Sequence, residues 1–343
     1  MAVNNIISRT DAEALIPVEQ SREIIKNIPQ RSKLLPLMRR LPNMSSLQRT
    51  LPVMSALPNA YFVNGDTGLK QTTNAEWDKL TITAEELAVI IPIPEAVLDD
   101  ASYDIWGELR PQIEEAFGIA IDKAIAFGTN KPTSWPTAIV PGAIAAGNNV
   151  KIGTKEDIAA DIIGPGGLMD LVESDGYRVS AFYADGTMEA QLRNLRDKNN
   201  NLLYMPSLTS YVPVTMVGRA IDYDNQGVFD TTQALMIAGD FTKAVYAIRQ
   251  DMTYKVLDQA VITDTDGKVI YNLAQQDMVA LRCVMRLGVQ IAAPVTYRNA
   301  SNVQRYPFSV LQPSDTEPTS PTEPSAASTP VPTAAKAKTT AAK

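Results

Sequence analysis

The stretch IIPIPEAVLDDA, residues 90–101, decides how this chain is read. It begins as an apolar run with Pro92 and Pro94 inside it, and turns at once into an acidic, helical segment. Residues 87–91 read as a strand; the two prolines are expected to stop it and to start a short helix at a fixed angle. Asp99 and Asp100 fall on that helix. No histidine, cysteine or glycine-rich loop lies nearby, so the stretch reads as a joint between two elements.

Downstream of the joint, a long helix is expected from Asp104, a suitable N-cap, to Gly128, a suitable stop. Leu109, Ile113, Ala116, Phe117, Ala120, Ile121, Ala124 and Phe127 form its apolar stripe. Glu108, Glu114, Glu115, Asp122 and Lys123 fall on the face expected to be solvated, and Pro111 is expected to loosen the first turns. Upstream, residues 61–63 and the strand from Trp77, in which Leu80, Ile82 and Ala84 alternate with Thr81, Thr83 and Glu85, frame a hairpin around Asn64-Gly-Asp-Thr-Gly68. Two arms of about 10–12 residues at about 3.3 Å each reach roughly 35–40 Å, which carries Lys70 and Trp77 beyond the subunit's own core. A two-stranded ribbon of that length needs a neighbour to lean on.

Residues 1–50 read as an arm. Pro17 suits the first turn of a short helix through Ile28, after which Pro29, Pro36, Pro42 and Pro52 are expected to prevent regular structure. From Arg22 to Arg49 the arm carries seven basic residues (Arg22, Lys26, Arg31, Lys33, Arg39, Arg40, Arg49) against one acid, Glu23, a balance of +6. From Glu85 to Asp122 there are ten acids and one base, Arg110, a balance of −9. The two regions are expected to attract, with Arg31, Lys33, Arg39, Arg40 and Arg49 facing the side that bears Asp99, Asp100, Glu114 and Glu115, in the same or an adjacent subunit; the alternative is that both are simply solvated. The Pro/Ser/Thr/Ala/Lys-rich residues 313–343 have too little to bury and are expected to be a disordered spacer.

Composition excludes most chemistry. The 343 residues contain no histidine, which removes the commonest general base, zinc ligand and nucleophile partner, and one cysteine, Cys283, set in an apolar run. A net charge of −7 argues against a grip on nucleic acid built from bulk positive charge. Neither a signal peptide nor an apolar run long enough to span a membrane is evident. Residues 163–168 (Ile-Gly-Pro-Gly-Gly-Leu) lack the spacing of a phosphate loop and read as a turn within the region 154–172, otherwise expected to be helical. Residues 222–227 (Asp-Tyr-Asp-Asn-Gln-Gly) begin like a calcium loop, but Gln233 stands where the bidentate acid belongs. Asp264 to Gly267 suits a hairpin turn, and Asp185 a helix cap. Adjacent acids such as Glu114 and Glu115 point about 100° apart on a helix and form no facing dyad. Strands at 177–183, 212–217, 234–238, 244–248 and 278–292 alternate irregularly with helices. The fold class is α+β with mixed sheets, with no cofactor and no metal.

The order of basic arm, long hairpin, the stretch 86–101, a long helix ending Asp122-Lys-Ala-Ile-Ala-Phe-Gly128, the segment 239–246 and a long closing strand resembles the major capsid proteins of tailed bacteriophages, the Hong Kong ninety-seven type, over residues 16–311. That resemblance implies an N-terminal arm (1–50), an extended loop (61–93), a peripheral domain (51–60, 94–140 and 236–312) with a spine helix at about 104–128, an axial domain (141–235) and a tail (313–343). It implies a structural protein whose hexamers and pentamers close an icosahedral shell around double-stranded DNA held without sequence specificity, part of the virion, with no membrane. The partners implied are further copies of itself, a portal protein, a decoration protein, and a scaffolding protein that is separate or absent, because the arm begins almost at Met1. Cross-linking relatives join an extended-loop lysine to a neighbour's asparagine with help from a glutamate. Lys70 suits the first role, but residues 283–286 (Cys-Val-Met-Arg) stand where the glutamate belongs, so no covalent link is expected. An encapsulin-type compartment of the same fold is the alternative; an enzyme, or a tail or decoration protein, fits the residues less well.

Overall fold

The structure, a computed structural model, describes residues 32–63, 68–100, 104–196, 215–264, 266–299 and 305–314. The short helix expected before Pro29, most of the 64–68 turn, residues 212–214 and almost all of the tail lie outside these. A turn of helix, α1 (Leu34–Leu37), and a two-residue strand, β1 (Arg39–Arg40), lead to the ribbon strands β2 (Gln48–Ala56) and β3 (Glu76–Thr83). Then come β4 (Glu85–Pro94), α2 (Glu95–Asp100) and the long α3 (Ile105–Ala126). The middle of the chain supplies α4 (Ile139–Ala146), β5 (Asn149–Lys151), α5 (Ile158–Ile163), α6 (Leu168–Ser174), β6 (Ala181–Asp185), α7 (Gly186–Arg193), β7 (Thr215–Met216) and β8 (Arg219–Asp224). The last third adds β9 (Met236–Gly239), β10 (Ala244–Leu257), the hairpin β11 (Val261–Thr263) and β12 (Val269–Asn272), β13 (Met278–Ile291) and β14 (Phe308–Gln312).

Two sheets organise the body. The first has the order β1-β10-β13-β4. Strand alternation gives it two faces: Leu281, Cys283, Met285, Leu287 and Val289 of β13 join Leu87, Val89 and Ile91 of β4 in the core under α3, where Ile113, Phe117, Ile121 and Ile125 complete the packing. On the opposite face Val245 and Ala247 meet Ile82, Ala84 and Met44. The second sheet, β5-β14-β9-β6-β8-β7, is buried on both sides. Ala181, Tyr183, Ile237, Phe308 and Val310 face the first core, whereas Phe182, Ala184, Met236, Ala238 and Leu311 face a second one closed by α5, α6 and α7. Two of its strands, β9 and β14, come from the segment 236–312, so this sheet is not built from residues 141–235 alone.

Several expectations are corrected. The ribbon pairs β2 with β3, from Gln48 opposite Thr83 to Met54 opposite Trp77, so its first strand precedes residues 61–63, which are irregular. Pro52 sits inside β2, tolerated because a two-stranded ribbon leaves one edge of each strand unpaired. Likewise β4 does not stop at Ile91 but continues through Pro92 and Pro94, opposite Ala280 and Met278. It is the edge strand of its sheet, so both prolines turn their donor-less nitrogens outward, while the Glu95 amide, one position on, reaches the Asp277 carbonyl at 2.9 Å. The region 154–172 is two short helices, broken by Gly164-Pro165-Gly166-Gly167. The α3 helix runs unbroken through Pro111. Asp104 occupies its N-cap position without a side-chain capping bond, and Gly128 follows its end at φ +80°. Cys283 is buried, Asp185 caps α7 through the Thr187 amide, and the Asp264–Gly267 turn closes the β11–β12 hairpin, all as expected.

The base of the ribbon crosses the first sheet at Gly288. A Cβ built there would lie 2.5 Å from Ile82 Cγ2 and 2.7 Å from the Thr83 carbonyl oxygen, so only glycine lets β3 lie on β13. Replacing Gly288 with Val is expected to cost about 1–3 kcal/mol by overpacking. A urea unfolding midpoint equal to wild type would show that the ribbon base is not held by this contact.

Candidate assembly interfaces

Three surfaces carry the residues expected to meet other copies: the strap formed by residues 32–49, the ribbon, and the acidic elements α2 and α3. The strap is tied down at its start by Asp122 in the last turns of α3. Ser32 Oγ donates to Asp122 Oδ1 at 2.6 Å, and the Lys33 and Leu34 amides donate to Oδ2 at 2.8 and 3.4 Å. Asp122 is fully buried, which corrects its expected place on the solvated face. Burial pushes its carboxyl up to about 6, against the pull of the Ser32 hydroxyl and the two amides; the nearby Asp224 charge adds to the rise. Leu34 follows directly into the core under α3. Arg39 and Arg40 then run parallel to Val245 and Tyr246 at the edge of the first sheet, and the Leu41 and Met44 amides continue the pairing.

Within the subunit, the described basic residues of the strap meet other partners than the acids of α2 and α3. Lys33 Nζ lies 3.2 Å from Asp222 within β8. Arg40 donates to Asn43 Oδ1 at 3.2 Å and Arg49 to the Pro42 carbonyl at 2.7 Å. Among the described residues Arg39, Arg40 and Arg49 form no ion pair with Asp99, Asp100, Glu114 or Glu115; Arg31 lies outside them. Asp99 and Asp100 are exposed on α2, and Glu114 and Glu115 are half-buried on α3, where Gln226 Nε2 approaches Glu115 Oε1 at 3.4 Å. Lys70 is exposed on the ribbon loop, and Trp77 is 62% exposed near the end of the paired strands, with Tyr61, Phe62 and Leu69 also uncovered. Lys70 and Trp77 are thus both exposed, and sequence reasoning missed Ser32, Asp122 and Asp222 as partners of the strap. The one signal for Asp122 was its spacing of seven from Glu115.

Two further sites bear on function. At the Cys283–Arg286 stretch, Arg286 stands opposite Glu86 in the β13–β4 register and donates from Nε to Glu86 Oε2 at 2.8 Å. Where the two sheets join, Asp175 accepts from Asn148 Nδ2 at 2.9 Å, Asn299 Nδ2 at 2.7 Å and the Tyr306 amide at 3.1 Å. Asp224, also buried, accepts from the Val228 amide at 2.7 Å and so shapes the loop that resembled the start of a calcium site. Among the described residues no group of three or more acids or thiols is placed to hold a metal ion.

Asp122 generates a pH prediction. Its folded pKa, about 6, lies above the ordinary 3.8, so the folded state binds the proton more tightly. Stability gained from this group is present at low pH and is lost as pH rises through about 6. Wild type is therefore expected to gain stability relative to Asp122→Asn between pH 7 and 4 in denaturant titrations; a pH-independent difference would contradict the burial. Asp122→Ala leaves the two amides without their acceptor, at about 1–3 kcal/mol each if they stay buried.

Comparison with known proteins matches the geometry. Residues 12–295 fit the phage capsid family. The major capsid protein of Staphylococcus phage 80alpha is 27% identical over 294 residues, covering 84% of this chain and 85% of that protein. A solved structure from Microbacterium phage Oxtober96 is 36% identical with a TM-score of 0.78, covering 90% of this chain and 100% of that one. The capsid of a native GTA particle, 16% identical with a TM-score of 0.66 over 90% of this chain and 99% of that one, shares the fold. With the family model matched over residues 12–295, this chain belongs to the phage capsid family.

Proposed function

We infer that this chain is the major capsid protein of a tailed phage, the subunit whose hexamers and pentamers build the icosahedral head around double-stranded DNA. The observation that carries the reading is the ribbon. Among the described residues strands β2 and β3 pair only with each other, and Tyr61, Phe62, Leu69 and Trp77 are left exposed. A two-stranded ribbon is marginal in water, and aromatic residues at its far end are best buried against a second copy. A ribbon received by a different part of the next copy makes a head-to-tail contact, which closes into rings where the rotation between copies closes.

The rest of the surface suits that role. DNA is enclosed rather than gripped, consistent with a net charge of −7. Other copies of the chain are the principal partners; a portal protein, a decoration protein and a separate scaffold, or none, complete the reading. No described helix is long and apolar enough to cross a membrane. The shell is held without covalent links, because an arginine, Arg286, already paired with Glu86, occupies the stretch where a proton-accepting glutamate is needed.

Two experiments test this reading. Shortening the loop 57–75 to a tight turn is expected to leave folded subunits that build no closed particles in electron micrographs; shells of normal size would refute the role given to the ribbon. Denaturing electrophoresis of mature particles is expected to show monomers, and a ladder of covalent oligomers would refute the non-covalent shell. DNA inside purified particles, rather than enzyme cargo, separates this reading from a cellular compartment.

A further inference from the structure

We propose that the open face of the first sheet, at Lys255 and Arg282, receives the acidic helix α2 of a second copy, and that this contact joins one ring of subunits to the next. It rests on the shell-forming role inferred above. Strand register sets out the face. Lys255 of β10 stands opposite Arg282 of β13, which stands opposite Ile90 of β4. All three are exposed, Ile90 by 44%, while the adjoining Tyr254, Cys283 and Val89 pack into the core under α3. Like charges directly opposite one another on adjacent strands repel, so the subunit alone gains nothing from this row. Four residues further along β13, Arg286 shows the satisfied case, with Glu86 as its cross-strand acid. Lys255 and Arg282 form no ion pair among the described residues. Small or apolar residues flank them on the same face, Ala280 and Pro92 in one neighbouring row and Val284 and Ala88 in the other, so a second surface can come close.

Chemistry selects the occupant. Pro92 and Pro94 lack donors along the open edge of β4, so a partner is met on the face rather than by adding a strand. Helix α2 supplies Glu95, Asp99 and Asp100 within six residues, and none of its side chains is buried. Val97 is 49% exposed, and at about 100° per residue it projects within about 60° of Asp100. The helix thus offers an apolar side chain for Ile90 and an acid for the two cations together. Its own subunit does not use them: α2 starts beyond the sheet, where the Glu95 amide meets the Asp277 carbonyl, and its acids pair with neither cation. Nucleic acid matches the two cations but leaves Ile90 and Val97 uncovered. Row and helix lie five residues apart, about 17 Å along β4, so a two-fold axis between them seats each copy's α2 on the other's row. The ribbon contact is head-to-tail and extends a ring. A reciprocal contact is complete in one pair, and therefore links two rings.

Charge reversal in the full-length chain tests this. Lys255→Glu with Arg282→Glu keeps two like charges opposite each other, so the cost inside the subunit is unchanged. That variant, and separately Asp99→Lys with Asp100→Lys, is expected to leave free rings in electron micrographs and no closed shells; the four changes combined are expected to restore shells. Closed shells from the first variant, loss of the rings themselves, or no restoration in the combined variant would each overturn the proposal. Normal shells that fail to fill with DNA would assign the face to nucleic acid and overturn it too. Loss of rings on shortening the ribbon loop reports on the ribbon alone, so the two readings fail separately. Unaltered particles give a second measurement, independent of any variant. Carbodiimide treatment of particles assembled from light and heavy-isotope-labelled subunits is expected to join the peptide bearing Asp99 and Asp100 to that bearing Lys255, with the two labels mixed. Absence of that link, or links within one label only, would overturn the contact between copies.

Discussion

A two-stranded ribbon cannot shelter its own aromatic residues, and that constraint governs this subunit. The body of the described chain is packed from within: the second sheet is covered on both faces, the first sheet has α3 on one side and the ribbon base on the other, and the buried Asp122, Asp175 and Asp224 have donors aimed at them. The ribbon and its loop carry the large side chains of Tyr61, Phe62, Leu69 and Trp77 outward. The free energy withheld in folding is therefore available in association, which is what a shell subunit requires.

The body is built to aim that ribbon. Gly288 permits β3 to lie directly on β13, and β4 runs straight from the ribbon into the edge of the same sheet. Pro92 and Pro94 at that edge remove two donors, which keeps the strand from recruiting another strand along its open side. Arg286 and Glu86 pin the register where the ribbon leaves the sheet. Residues 90–100 thus continue β4 into α2, rather than forming a strand cut short by proline.

Much of this was legible in the sequence where the signals are local. The helix from the apolar spacing between Leu109 and Phe127, the cap at Asp185 and the turn at Asp264–Gly267 each depend on a few adjacent residues, and the structure has all three, although Ala116 and Ala120 of the expected stripe are exposed. The family was legible from the order of elements. What escaped depended on distant partners. The first ribbon strand was hidden because Pro52 reads as a breaker, and only pairing with β3 makes its neighbourhood a strand. Asp122 looked like one more acid on a solvated face, because the hydroxyl that buries it is 90 positions away. The attraction between arm and acidic region was visible as a sum of charges, whereas the placement of Arg39 and Arg40 against β10 was not, since backbone pairing rather than charge positions them.

The account stands on the claim that the ribbon finds its cover on another copy. A cryo-electron microscopy map of the assembled protein measures this directly. It is expected to show an icosahedral shell in which each ribbon crosses onto an adjacent subunit and Trp77 is shielded there; ribbons folded back over their own subunits, with Trp77 still in solvent, would contradict it.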